Sequence, residues 1–167
     1  VQAQEELAEQ FAHAQGIEPE LVPIEQFSEM IPALLTGRGD IIAANLTVTE
    51  ARQQHVSFSV PLTTVRQQVI VAAGNQTIKK AADFSGKRVM SVPGSSFWER
   101  LEAMRERYPD IELVPRPAGF SDEDEIDAVV AGHVDATLRD SNIVSMYLSY
   151  RDDIEVAFRL PHVDDIA

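Results

Sequence analysis

Residues 37–52, GRGDIIAANLTVTEAR, decide how this chain is read. Gly37 and Gly39 suit the end of a helix, because glycine tolerates the left-handed conformation found there. After Asp40, Ile41-Ile42-Ala43-Ala44 is an apolar run of strand length, too short to demand a helix. Asn45, Thr47 and Thr49 follow at alternating positions, and Thr49 with Glu50 behind it suits a helix N-cap. Arg52 then falls just inside that helix. A guanidinium beside a hydroxyl-rich strand end suits a carboxylate, since its fork makes two parallel charge-assisted hydrogen bonds. A surface ion pair with Glu50 or another neighbour would satisfy the same residues.

Working outward, residues 3–15 read as a helix with Leu7, Phe11 and Ala14 on one face. Residues 21–24 read as a short strand, and 28–36 as a helix capped by Ser28. Residues 56–62 are extended; 65–73, 88–92, 111–114, 135–138 and 155–160 read as strands. Residues 78–82, 96–107, 122–131 and 141–150 read as helices. Strands alternating with helices imply βαβ units and a mainly parallel sheet. The order helix, glycine, aspartate, strand, polar turn, helix occurs at 34–52 and again at 129–144, where Gly132, Asp135 and Asp140-Ser141 hold the matching places. Two similar α/β lobes are therefore expected: 1–74, then 75–155, with 156–167 returning to the first.

The 167 residues are 44% hydrophobic and 25% charged, enough to bury a core. A net charge of -13 argues against a nucleic-acid partner, which needs a basic footprint. The absence of cysteine excludes disulfides and thiolate metal sites. His13, His55, His133 and His162 lack metal-ligand spacing, so no metal and no cofactor are expected. No apolar run reaches transmembrane length and no secretory signal is visible. The chain opens within a helical pattern, which reads as a trimmed start.

In open α/β sheets, ligands bind outside the carboxyl ends of the strands. Three elements sit at such ends. The first is Asn45, Thr47 and Arg52. The second is Gly94-Ser95-Ser96, whose backbone N–H groups at a helix start can hold an anion; a plain N-cap explains it equally. The third is Asp140, which can hold an ammonium group or simply cap the following helix. Two anion-gripping elements and one cation-gripping element match a zwitterion such as a free amino acid.

At these residues the chain resembles the type 2 periplasmic solute-binding proteins of the polar amino-acid class. The resemblance rests on GRGDIIAANLTVTEARQQHVSFSVPL, the PGSS turn after residues 88–92, and GHVDATLRDSNIV. It implies a two-lobed fold in which each lobe is a mainly parallel sheet flanked by helices, closing over a ligand like a hinge. It implies that Arg52 clamps the α-carboxylate, with Thr47, Ser95 and Ser96 assisting. Asp140 would take the α-ammonium, helped by the Ala44 carbonyl and Asn45. It implies an extracytoplasmic, membrane-anchored or periplasmic protein without catalysis of its own, serving an ABC transporter permease. The wording ALLTGRGD…NLTVT is closer to a second branch, the regulatory module fused to the catalytic domain of F-type membrane-bound lytic transglycosylases. Some proteins of this fold are dehydratases, but no residue here is singled out as a general acid. The family's opening strand and aromatic loop are missing, and Ser59-Val60-Pro61 replaces its common Ser-Asp-Pro. These departures bear on ligand identity.

Overall fold

The structure, a computed structural model, describes residues 2–167. The chain forms two compact units. One runs up to Thr64 and takes back Asp165–Ala167; the other is Val65–Asp164. The expected borders at 74 and 155 fall inside the second unit, because the strands that end there are shared by one sheet.

The second unit is built on a five-stranded sheet in the order β4-β3-β5-β2-β6, with β2 Gln67–Ala72, β3 Arg88–Ser91, β4 Glu112–Pro115, β5 Ala136–Asp140 and β6 Ile154–Arg159. β3 is parallel to β4 and β5, while β2 is antiparallel to β5 and β6. The sheet is thus mixed, with β2 alone running against the other four strands. β6, antiparallel to β2, therefore runs in the same direction as β3, β4 and β5. The alternation of a strand sorts the apolar residues of β2 onto two faces. Val69 and Val71 join Val89, Leu138 and Phe84 beneath Leu101 of α4, Ser96–Arg107. Ile70 faces the other way, onto Ile126 of α5, Asp122–Val130, and Val144 and Tyr147 of α6, Ser141–Leu148. Both faces are covered, which is why the strands read as near-continuous apolar runs.

The first unit holds α1 Gln2–Ala14, a 3₁₀ turn Phe27–Glu29, α2 Met30–Leu35 and α3 Glu50–Gln53. Residues 21–24 and 41–44, strands by their sequence, are extended chain without a ladder. A strand exists only by pairing, since its N–H and C=O groups must go somewhere. Among the described residues, neither run is paired in a ladder. Leu21 and Ile41 are accordingly 56% and 59% exposed. The apolar face expected inward on α1 is also open, with Phe11 55% exposed. Ser28 caps nothing: it lies inside the 3₁₀ turn, which the chain enters from Gln26.

Within the first unit, a β-bridge links Thr47 to Ile166. Two further strands, β1 Thr63–Val65 and β7 Asp164–Ile166, pair with each other. The chain crosses from unit to unit within them. No helix among the described residues is long and apolar enough to cross a membrane.

Candidate functional site

Residues 45–52 of the first unit form a corner around a buried arginine. Asn45 has a positive φ of 49°, the only such value outside glycine among the described residues. Asparagine tolerates it because its short polar side chain bonds locally. Here the Asn45 Oδ1 accepts from the Gln4 side chain. Thr49 caps α3, its hydroxyl accepting from the Arg52 N–H at 3.3 Å. That cap sets the direction of the Arg52 side chain. Arg52 is buried, only 4% exposed. Its Nη1 donates to the Thr47 carbonyl at 2.8 Å, and its guanidinium lies 5.5 Å from the Phe27 ring centroid. The carbonyl fixes the fork, and the ring face offers a cation–π surface. Thr47 itself is buried, while Ala44 is half-buried.

In the second unit, Gly94 turns the chain at φ 82° into the start of α4. The Ser95 hydroxyl caps this helix, accepting from the Trp98 N–H at 3.1 Å, and lies 3.3 Å from the Ser91 hydroxyl. Its oxygen is therefore engaged in holding the helix start. Ser96 is buried, and its hydroxyl accepts from Gln67 Nε2 at 3.5 Å.

Asp140 is the decisive residue. It ends β5 and occupies the N-cap position of α6, with φ −67° and ψ 145°. Yet its side chain makes no capping hydrogen bond. Its Oδ1 is buried and has no partner among the described residues. Burial, and secondarily the negative charge of Asp164, pushes its pKa up to about 6, against the pull of Arg139. The alternative of simple capping is thus set aside by geometry. That oxygen lacks a donor.

The sequence reading missed what surrounds it. Gln67 stands opposite Asp140 in the β2–β5 register, and Asp164 is buried with Arg100 Nη2 donating to its Oδ1 at 2.9 Å. Gln67 was legible in principle, since it shares the phase of Val69 and Val71 and so had to point into the core. Asp164 gave no periodic signal. On the opposite face, Glu125 is fully buried against Arg139, Nη2 to Oε2 at 2.7 Å, and accepts from the Thr137 hydroxyl at 2.6 Å. This pair holds Arg139 on the far side of the sheet from Asp140, as strand alternation requires. No group of three or more acidic or histidine side chains suited to a metal occurs among the described residues.

Residues 4–140 match the profile of the bacterial extracellular solute-binding proteins, family 3. Among curated proteins, the chain is 33% identical over 164 residues to the membrane-bound lytic murein transglycosylase F of Saccharophagus degradans, covering 96% of this chain and 32% of that protein. It is 29% identical over 162 residues to the protein of that name from Pseudoalteromonas translucida, covering 97% and 34%. The chain thus spans about a third of the length of these relatives. Among solved structures, an ancestral arginine-binding protein bound to arginine superposes with a TM-score of 0.79 at 25% identity, covering 98% of this chain and 73% of that one. The ancestral amino acid-binding protein AncCDT-1, a precursor of cyclohexadienyl dehydratase, superposes with a TM-score of 0.75 at 27% identity, covering 98% and 69%. The fold is that of the type 2 periplasmic binding proteins. With most of its length inside the matched profile, the chain belongs to the bacterial extracellular solute-binding proteins, family 3.

Proposed function

We propose that the protein binds a small zwitterion, an amino acid or a close relative, and does so without chemistry of its own. Arg52 takes the carboxylate, assisted by Thr47 and by the Ser95-Ser96 turn. Asp140 takes the ammonium, assisted by the Ala44 carbonyl and Asn45. The observation that carries this reading is the half-buried Asp140 carboxylate, whose Oδ1 is buried without a donor and which makes no cap to its helix. A buried charge is retained at such cost when something pairs it. The arginine and glutamine bound by the superposed ancestral protein support the ligand class. Such a module serves an extracytoplasmic receptor or sensor, with an ABC transporter permease as its partner in the first case.

Calorimetry with a panel of L-amino acids, including arginine and glutamine, tests it. Binding is expected, and Arg52→Ala and Asp140→Asn are each expected to weaken it by roughly 30-fold or more, as for loss of one partner of a buried charge pair. Absence of binding across the panel sinks the reading.

A second reading is favoured by the curated relatives. In it the chain is the regulatory module of a membrane-anchored lytic transglycosylase, and the ligand state is passed to a fused catalytic domain. The gene's flanking sequence separates the two: a transglycosylase domain following residue 167 supports the module, and a solitary receptor reading frame supports transport.

A further inference from the structure

Asp140 is not alone in lacking a donor. Three side-chain atoms of the described residues are buried without a hydrogen-bond partner: Gln67 Oε1, Asp140 Oδ1 and Asp164 Oδ2. All three belong to the second unit, and all three are acceptor oxygens. Gln67 faces Asp140 directly across the β2–β5 ladder. In an antiparallel pair, opposed residues project to the same face with Cβ atoms about 4.5–5.5 Å apart. Asp164 and Gln67 are both held against one side of α4: Arg100 Nη2 donates to Asp164 Oδ1 at 2.9 Å, and one turn earlier Ser96 Oγ accepts from Gln67 Nε2 at 3.5 Å. Gln67 is 1% exposed and Asp164 8%, so water does not readily serve either oxygen. Each unmet buried acceptor costs about 1–3 kcal/mol. Three in one place are explained by a guest that supplies donors.

We propose that Gln67 and Asp164 complete, with Asp140, a three-oxygen pocket for a primary ammonium group. This rests on the reading that Asp140 takes the ligand's ammonium, and it adds two recognising residues. A primary ammonium carries three N–H donors and one positive charge. The pocket offers three acceptors. Of its two carboxylates, Asp164 is already paired with Arg100, which leaves about one negative charge for the guest. That balance suits a monocation. A divalent ion, which prefers six to eight oxygens, is poorly served. The pocket would select ligands bearing a free amine over the same molecules without one.

The test is calorimetry on the protein with L-arginine and L-glutamine, each beside its desamino counterpart. Wild type, Asp140→Asn, Asp164→Asn and Gln67→Leu are compared, with thermal melts to confirm folding. The preference for the amino acid over its desamino counterpart is expected to fall at least tenfold in Asp164→Asn and in Gln67→Leu. Should both keep the wild-type preference while Asp140→Asn loses it, the inference is overturned and the reading of Asp140 survives. Should wild type bind no amino acid, or Asp140→Asn keep the preference, both fall together. Calcium binding to wild type that Asp164→Asn abolishes, with no amino acid bound, would overturn the inference in favour of a metal site. If Asp164→Asn fails to fold, Gln67→Leu decides alone.

Discussion

At the scale of single residues, Asp140 makes the sharpest predictions. Its folded-state pKa lies near 6, above the ordinary 3.8, so folding disfavours the ionised form. The penalty is fully present above pH 6 and is relieved as the pH falls through 6 toward 4. Asp140→Asn is therefore expected to be more stable than wild type at pH 8, by about 1–2 kcal/mol after allowance for partial exposure. The two should converge near pH 4 in chemical denaturation. The charges that act on Asp140 are Asp164, itself paired with Arg100, and Arg139 from the other face of the sheet. Ligand binding has the opposite sign. An ammonium needs the ionised carboxylate, so affinity should weaken as the pH drops below 6, approaching tenfold per unit. A profile flat from pH 5 to 8 would speak against Asp140 as the ammonium partner. Glu125 is the structural counterpart. Glu125→Gln removes the charge that Arg139 and Arg116 share inside the protein, and is expected to cost about 3–5 kcal/mol by denaturation without touching ligand selectivity.

At the scale of elements, the helix starts separate holding from binding. Ser95 spends its hydroxyl on the cap of α4. Ser95→Ala should therefore lower stability by about 1 kcal/mol, visible as a lower melting temperature. Any loss of affinity should come only through the loosened Ser96 turn. Thr49→Ala should do the same to α3, and with it to the aim of Arg52. Local pattern reaches as far as these caps. Those at Thr49 and Ser95 were legible because a side-chain oxygen three residues before an orphan N–H needs nothing from elsewhere. Asp140 looks the same in sequence, yet its carboxylate makes no hydrogen bond to the helix start.

At the scale of the whole molecule, order is unevenly distributed. β2 sits between β5 and β6 with Val69, Ile70 and Val71 fully buried. Residues 18–25 and 40–44 carry main-chain amides with no hydrogen bond among the described residues. Hydrogen exchange should report slow amides in β2, β3 and β5 and fast ones in both of those runs, since exchange follows local hydrogen bonding and burial. Protection of residues 41–44 comparable to β5 would mean that a strand partner is present in solution.

The two copies of the repeated pattern mark the boundary between sequence and tertiary structure. Gly37 and Gly132 both take the left-handed turn, at φ 79° and 77°, as a helix stop demands of its own backbone. Beyond these glycines the two copies diverge. Residues 136–140 become β5 because β2 and β3 flank them; residues 41–44 stay unpaired. The chain by itself set its longer helices, though residues 78–82, read as a helix, form only a 3₁₀ turn at Ala81–Phe84; it also set its stops, the apolar strands of the second unit, and Arg52 and Asp140 as the charged residues worth watching. Those depend on torsions and spacings a few residues long. Which runs became strands, and that Gln67 stands opposite Asp140 in the ladder, depended on partners distant in sequence. No local spacing encodes them, because hydrogen bonds across a sheet and charges in a core are made between segments that only folding brings together.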